Sequence, residues 1–174
     1  ANQYNLTFNK NDSAASWGTI PSGFTQSGSN YSKQVTYDDT IKDMPQPTKS
    51  GYKFEGWFEN TTSSIAWTPS TLYTVAENKT LYARFTANPY ILTIEYGNEK
   101  GTQTKPGKIG QSYTLENNLT KEGYTFNGWE VTVGNEKWLS GSVFTFDASD
   151  ATVTAKWNAN TYKVNYNSNG GSGS

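Results

Sequence analysis

Apolar side chains fall on every second position in Tyr4, Leu6 and Phe8, again in Tyr90, Leu92 and Ile94, and a third time in Tyr162, Val164 and Tyr166. Polar residues stand between them: Asn5 and Thr7, then Thr93, then Lys163 and Asn165. A period of two describes a strand with one buried and one wet face. A second set of segments alternates in the same way. Leu81, Ala83 and Phe85 point opposite to Tyr82 and Arg84, and Val153, Ala155 and Trp157 opposite to Thr154 and Lys156. A third pair, GYKFEGW (Gly51 to Trp57) and GYTFNGW (Gly123 to Trp129), starts as a strand with Tyr52 and Phe54, or Tyr124 and Phe126, on one face. Strict alternation would then turn Trp57 and Trp129 outward. Glycine inside a strand often marks a bulge, whose extra residue switches the following side chain to the other face. Gly56 and Gly128 are expected to do this and to return both tryptophans to the core, leaving Phe58 and Glu130 outward.

These segments recur in register. A shift of 72 lays TKSGYKFEGWFE on TKEGYTFNGWEV, LYARFTAN on VTAKWNAN, and PYILTIEY on TYKVNYNS. The opening QYNLTFN matches PYILTIE at a shift of 86, so the first copy carries 14 extra residues before its GYKFEGW. The organisation expected is a first unit at 1–87, a second at 88–159, and at 160–174 the opening strand of a truncated third. The joints Thr86-Ala87-Asn88 and Asn158-Ala159-Asn160 are too short for free tumbling, which predicts a stiff stack of neighbouring repeats. Thr36–Met44 and Gly110–Asn117 are expected to run from a strand end into a helical turn or short helix.

Composition narrows the chemistry. The 174 residues contain six Trp, twelve Tyr and eight Phe but no Cys and no His. Disulfides, thiolate catalysis, Ser-His-Asp triads and ordinary zinc or copper centres are thereby excluded. No cofactor or metal is expected. With 14 basic against 15 acidic residues, nothing favours nucleic acid or an anionic membrane as partner, and the short apolar runs exclude a bilayer span. The chain opens at Ala1 with no leader pattern, so it is expected to be a piece of a longer protein.

PTKxGYxFxGW, followed by LYARF or VTAKW and then NPYILTI, resembles the Listeria–Bacteroides repeat, the family of the internalin B B-repeat. The likeness covers nearly the whole chain; TYKVNYNSNGG resembles the opening of another unit. Membership implies tandem small β-grasp-like domains, mostly β or α+β, each a four- or five-stranded sheet with a short helix or helical turn. It also implies an extracellular position on a bacterial cell surface or wall, and no enzyme activity. YGNEKGTQTKPGKIG (Tyr96 to Gly110) departs from the family's NGG-type turn in the second unit.

Exposed aromatics form sugar-binding platforms. The candidates are Trp17, Phe24 and Tyr31 in the long first loop, with Phe58 and Tyr82. The competing expectation is packing, because large aromatics in small domains are mostly core. Trp67 and Trp138, at near-equivalent places 71 apart, also suggest packing. Glu55 and Glu59 form a carboxylate pair of the kind a glycosidase needs, yet the second copy has Asn127 and Val131 in their places. Asp38-Asp39 and Asp147-Ala148-Ser149-Asp150 lack the spacing of a calcium loop. An intramolecular Lys–Asn isopeptide needs an inward lysine, and the strand pattern shows none. The reading that follows is a non-catalytic surface spacer. The alternative is a module that binds a glycan or a host surface protein through the first unit's aromatics. Tyr52, Phe54, Gly56, Trp57, Tyr124, Phe126, Gly128 and Trp129 are then a fold signature, since the outward positions are those that vary between copies.

Overall fold

The computed structural model describes residues 1–133, 137–167 and 169–171. The chain divides into two compact units, Ala1–Pro89 and Tyr90–Ser174. The first contains β1 (Gln3–Asn9), β2 (Ser16–Trp17), β3 (Thr25–Ser27), β4 (Asn30–Thr36), β5 (Pro47–Thr48), β6 (Tyr52–Phe58) and β7 (Lys79–Ala87). The second contains β8 (Pro89–Glu95), β9 (Thr102–Lys108), β10 (Ser112–Thr114), β11 (Tyr124–Val133), β12 (Lys137–Trp138), β13 (Val143–Thr145) and β14 (Ala151–Ala159).

Each unit is built on a five-stranded sheet, in the order β3-β4-β1-β7-β6 or β12-β11-β14-β8-β9. The two segments with the cleanest alternation lie side by side at the centre and run parallel, β1 on β7 and β8 on β14. Parallel neighbours require a crossover connection; between the central strands part of the chain adds further strands to the sheet, and the rest packs residues onto one face of it. In the first unit Leu6, Phe8, Val35, Trp57, Leu81 and Ala83 meet Ile41 and Tyr73 from the crossover. In the second, Leu92, Ile94, Trp129, Val131, Val153 and Ala155 meet Leu115, Phe144 and Phe146.

The register of β6 on β7 shifts between Phe54 and Gly56, and that of β11 on β14 between Phe126 and Trp129. The glycines there have φ of 132° for Gly56 and 103° for Gly128, a region in which a side chain is strained. Beyond each bulge the tryptophan faces inward, with exposures of 2 % for Trp57 and 0 % for Trp129. Both indole nitrogens donate to a main-chain carbonyl of the covering layer, Trp57 to Pro45 and Trp129 to Glu116, each at 2.9 Å.

No helix occurs among the described residues, contrary to the helical turns expected near Thr36–Met44 and Gly110–Asn117. Asp38 and Lys42 have φ of 61° and 68°, which a right-handed helix does not admit. The amides of the first segment donate instead across the covering layer, Asp38 to Tyr73, Ile41 to Thr71 and Lys42 to Pro69, at 2.8–3.2 Å. In the second unit β10 pairs antiparallel with β13, so the corresponding segment is extended. The helix-across-sheet element of a β-grasp is absent here, and strand pairs and loops take its place.

The strand expected in the opening of a third unit is also missing. Tyr162, Val164 and Tyr166 are exposed and carry no strand pairing. In each complete unit the equivalent strand sits between two neighbours, β1 between β4 and β7, and β8 between β14 and β9. Alternation alone does not satisfy a strand's backbone groups.

Candidate functional site

The long first loop brings its aromatics onto the core. The Trp17 ring stacks on Trp57 with centroids 6.0 Å apart and meets Tyr31 edge-on at 5.1 Å. Its indole nitrogen donates to the carbonyl of Ser29 at 3.0 Å. Phe24 packs on Phe8 at 5.6 Å and lies under the ammonium of Lys33 at 5.0 Å. Tyr31 is half-buried and donates its hydroxyl to Gln26 at 3.2 Å. The five sequence candidates therefore form no shared open platform: Trp17 and Tyr31 pack on one another beside Trp57, Phe24 packs on Phe8, and Phe58 and half-buried Tyr82 lie opposite one another on β6 and β7.

Phe58 does leave the core face, but it is only 6 % exposed. The guanidinium of Arg84 lies 3.6 Å from its ring centroid. One nitrogen of that guanidinium also donates to the carbonyls of Asn60, Thr61 and Ser63, at 3.2, 3.3 and 2.8 Å. The residues after β6 are thereby pulled over the outer face of the sheet. Arg84→Ala should cost about 1–2 kcal/mol, combining a desolvated cation–π contact with charge-assisted hydrogen bonds. It should also speed proteolysis within residues 59–66, read by limited digestion; an unchanged cleavage rate would show that Arg84 does not hold this segment.

The fold-signature residues divide. Phe54 and Phe126 are half-buried against Trp57 and Trp129, at 5.5 and 5.7 Å. Tyr52 is half-buried, but Tyr124 is 42 % exposed despite its expected core place. Both tyrosines start their strands, where the sheet ends, and each is covered by a lysine: Lys49 lies 3.8 Å from the Tyr52 centroid and Lys121 4.5 Å from that of Tyr124.

The remaining candidates disperse. Glu55 pairs with Lys53 at 3.3 Å and Glu59 with Lys79 at 3.2 Å, so the carboxylates serve different partners and do not converge. Asp39 accepts from Thr40, Asp147 from Ala148 and Asp150 from Ile91, each at 2.8 Å. Among the described residues no group of three acidic side chains is placed to hold a metal ion, and no helix is long and apolar enough to cross a membrane. One expectation about lysines is corrected. Lys33 stands opposite buried Leu6, facing inward. Burial holds its pKa below the ordinary value, with Asp43 opposing the shift. Its ammonium donates to the carbonyls of Ile41 and Asp43, at 2.8 and 3.2 Å.

The residue that pattern reading missed is Trp138. The amide of Trp67 donates to the carbonyl of Trp57, and that of Leu139 to Trp129. The counterpart of Trp67 is therefore Leu139, at the same shift of 72 as the rest of the repeat. Trp138 corresponds to Ala66, pairs opposite outward-facing Glu130, and is 53 % exposed.

Comparison with known proteins follows the same division. Residues 4–84 match the Listeria-Bacteroides repeat domain and residues 92–161 the Divergent InlB B-repeat domain. The chain is 34 % identical over 153 residues to Internalin H of Listeria monocytogenes, an alignment covering 79 % of this chain and 27 % of that protein. It is 32 % identical over 142 residues to a protein of Evansella cellulosilytica with the provisional name Gly-rich membrane protein, covering 80 % of this chain and 16 % of the relative. A provisionally named membrane protein of the same organism is 30 % identical over 154 residues, covering 85 % and 22 %. The chain thus spans about a quarter or less of these relatives.

Proposed function

Since the chain belongs to the Listeria–Bacteroides repeat family, we propose that it is a non-catalytic tandem-repeat segment of a bacterial cell-surface protein, a spacer that holds another part of its parent away from the cell. The observation that carries this reading is what the two copies share. Their common residues make the central parallel strands, the bulged strand and its buried tryptophan, and each unit has its own core. Duplicated parts that are all scaffold support a role that grows with the number of copies. The names of the relatives, an internalin and two membrane proteins, support an extracellular place at the surface or wall. Their greater length leaves room for other domains.

The spacer role is tested by inserting residues 1–174 between a short anchored carrier and an epitope on a bacterial surface. Antibody access to the epitope should rise with one copy and again with two. Access that does not change with either insertion would overturn the reading.

A further inference from the structure

The outer face of the second sheet carries a row of four side chains in lateral register. Trp138 on β12 stands opposite Glu130 on β11, Glu130 opposite Thr154 on β14, and Thr154 opposite Glu95 on β8. At the usual spacing between strands the row extends about 14 Å. It is held in place: Glu130 pairs with Lys156 at 2.5 Å, and Thr154 donates to Glu95 at 2.8 Å and shares a hydrogen bond with Thr132 at 2.9 Å. The exposed indole lies against the bulge, its Cζ3 3.7 Å from where a Cβ on Gly128 would stand. In the first unit the same places hold Ala66, Phe58, Tyr82 and Asn9, and the Arg84 guanidinium lies over the Phe58 ring.

We propose that this row is a binding platform for a neutral oligosaccharide laid across the strands. A sugar ring presents an apolar C–H face and a rim of hydroxyls. The open indole supplies a flat partner for the first. Two carboxylates, which accept, supply partners for the second, and the Thr154 hydroxyl, by donating to Glu95, holds one of them in place. Glu130 and Lys156 neutralise one another, so the face has no strong field to favour an anionic glycan. The site arises where the two copies differ, and it does not depend on the spacer role.

The full chain is applied to an array of neutral oligosaccharides of glucose, galactose, mannose and N-acetylglucosamine, with sulfated and uronate-containing glycans alongside. Affinity for any neutral glycan retained is then titrated by tryptophan fluorescence and calorimetry. Trp138→Ala should weaken that binding about tenfold or more, and Thr154→Val and Glu95→Gln, which preserve shape, should weaken it several-fold. Ile65→Ala, on an exposed residue of the first unit, should leave it unchanged. The melting temperature of each variant separates lost binding from lost fold, and the two shape-preserving variants decide the matter if Trp138→Ala unfolds. Three results would each overturn the proposal: no neutral glycan bound, affinity unchanged in the row variants, or binding confined to anionic glycans and abolished by salt.

Discussion

Trp129→Ala is expected to lower the stability of the second unit by about 3–5 kcal/mol, and Trp57→Ala to do the same to the first. Both rings are fully enclosed. Trp129 is flanked edge-on by Tyr96 at 5.5 Å and Phe126 at 5.7 Å, and Trp57 by Phe8 at 4.9 Å and Phe54 at 5.5 Å. Truncation removes these contacts, leaves a cavity in the core, and leaves the carbonyl of Glu116 or Pro45 without its indole donor. Domains are stable by only about 5–15 kcal/mol, so either change takes a large share. Because each tryptophan belongs to a different core, each variant should move the unfolding of its own unit in denaturant and leave the other unit's in place. A loss under about 1 kcal/mol would contradict the packing described. An equal shift of both units by one substitution would show that they unfold together.

How much of this was legible depended on whether local pattern or distant contact decided the outcome. The period of two in Leu6 and Phe8, or Leu92 and Ile94, marked the central strands because one face of each is buried along its length. A glycine interrupting an aromatic strand pointed to a bulge, and the inward tryptophan after it follows from the geometry of the extra residue. The helical turn expected at Thr36–Met44 does not form because its amides are claimed by Thr71, Tyr73 and Pro69, about thirty residues on. In the second unit Tyr113 and Leu115 alternate with Ser112 and Thr114, a strand pattern that β10 fulfils. Phe58 takes the outward face that the bulge implies but is not open there; its burial comes from Arg84 and the segment it holds. The equivalence of Trp138 with Trp67 is one residue out of step with the shift of 72 that the backbone follows. In a strand one residue is the difference between core and solvent.

Gly107→Ala is expected to destabilise the second unit by about 1–3 kcal/mol, toward the upper end of that range. Replacing glycine by alanine within a strand ordinarily gains about 0.5–1 kcal/mol, so the predicted sign runs against propensity. The cause is Phe146. A Cβ at Gly107 would stand 2.3 Å from Cε2 and 2.4 Å from Cζ of that ring. The ring has little room to withdraw: it is buried, Phe144 meets it edge-on at 5.2 Å, and its backbone is pinned on both sides. The amide of Phe146 donates to Gln111, and its carbonyl accepts from Gly110, each at 2.8 Å. Gly107 lies in the stretch that departs from the family's turn, where the chain forms β9 at the sheet edge and the ring closes over it. A double-mutant cycle separates this clash from a general intolerance of the strand. Phe146→Ala alone should cost about 3–5 kcal/mol. With the ring gone the added methyl meets space, so Gly107→Ala on that background should cost little or nothing. The cycle should therefore show a coupling about as large as the single Gly107 penalty. Additive losses in the denaturation midpoints would mean that the ring is not the obstacle and that β9 does not approach Phe146 as closely as described.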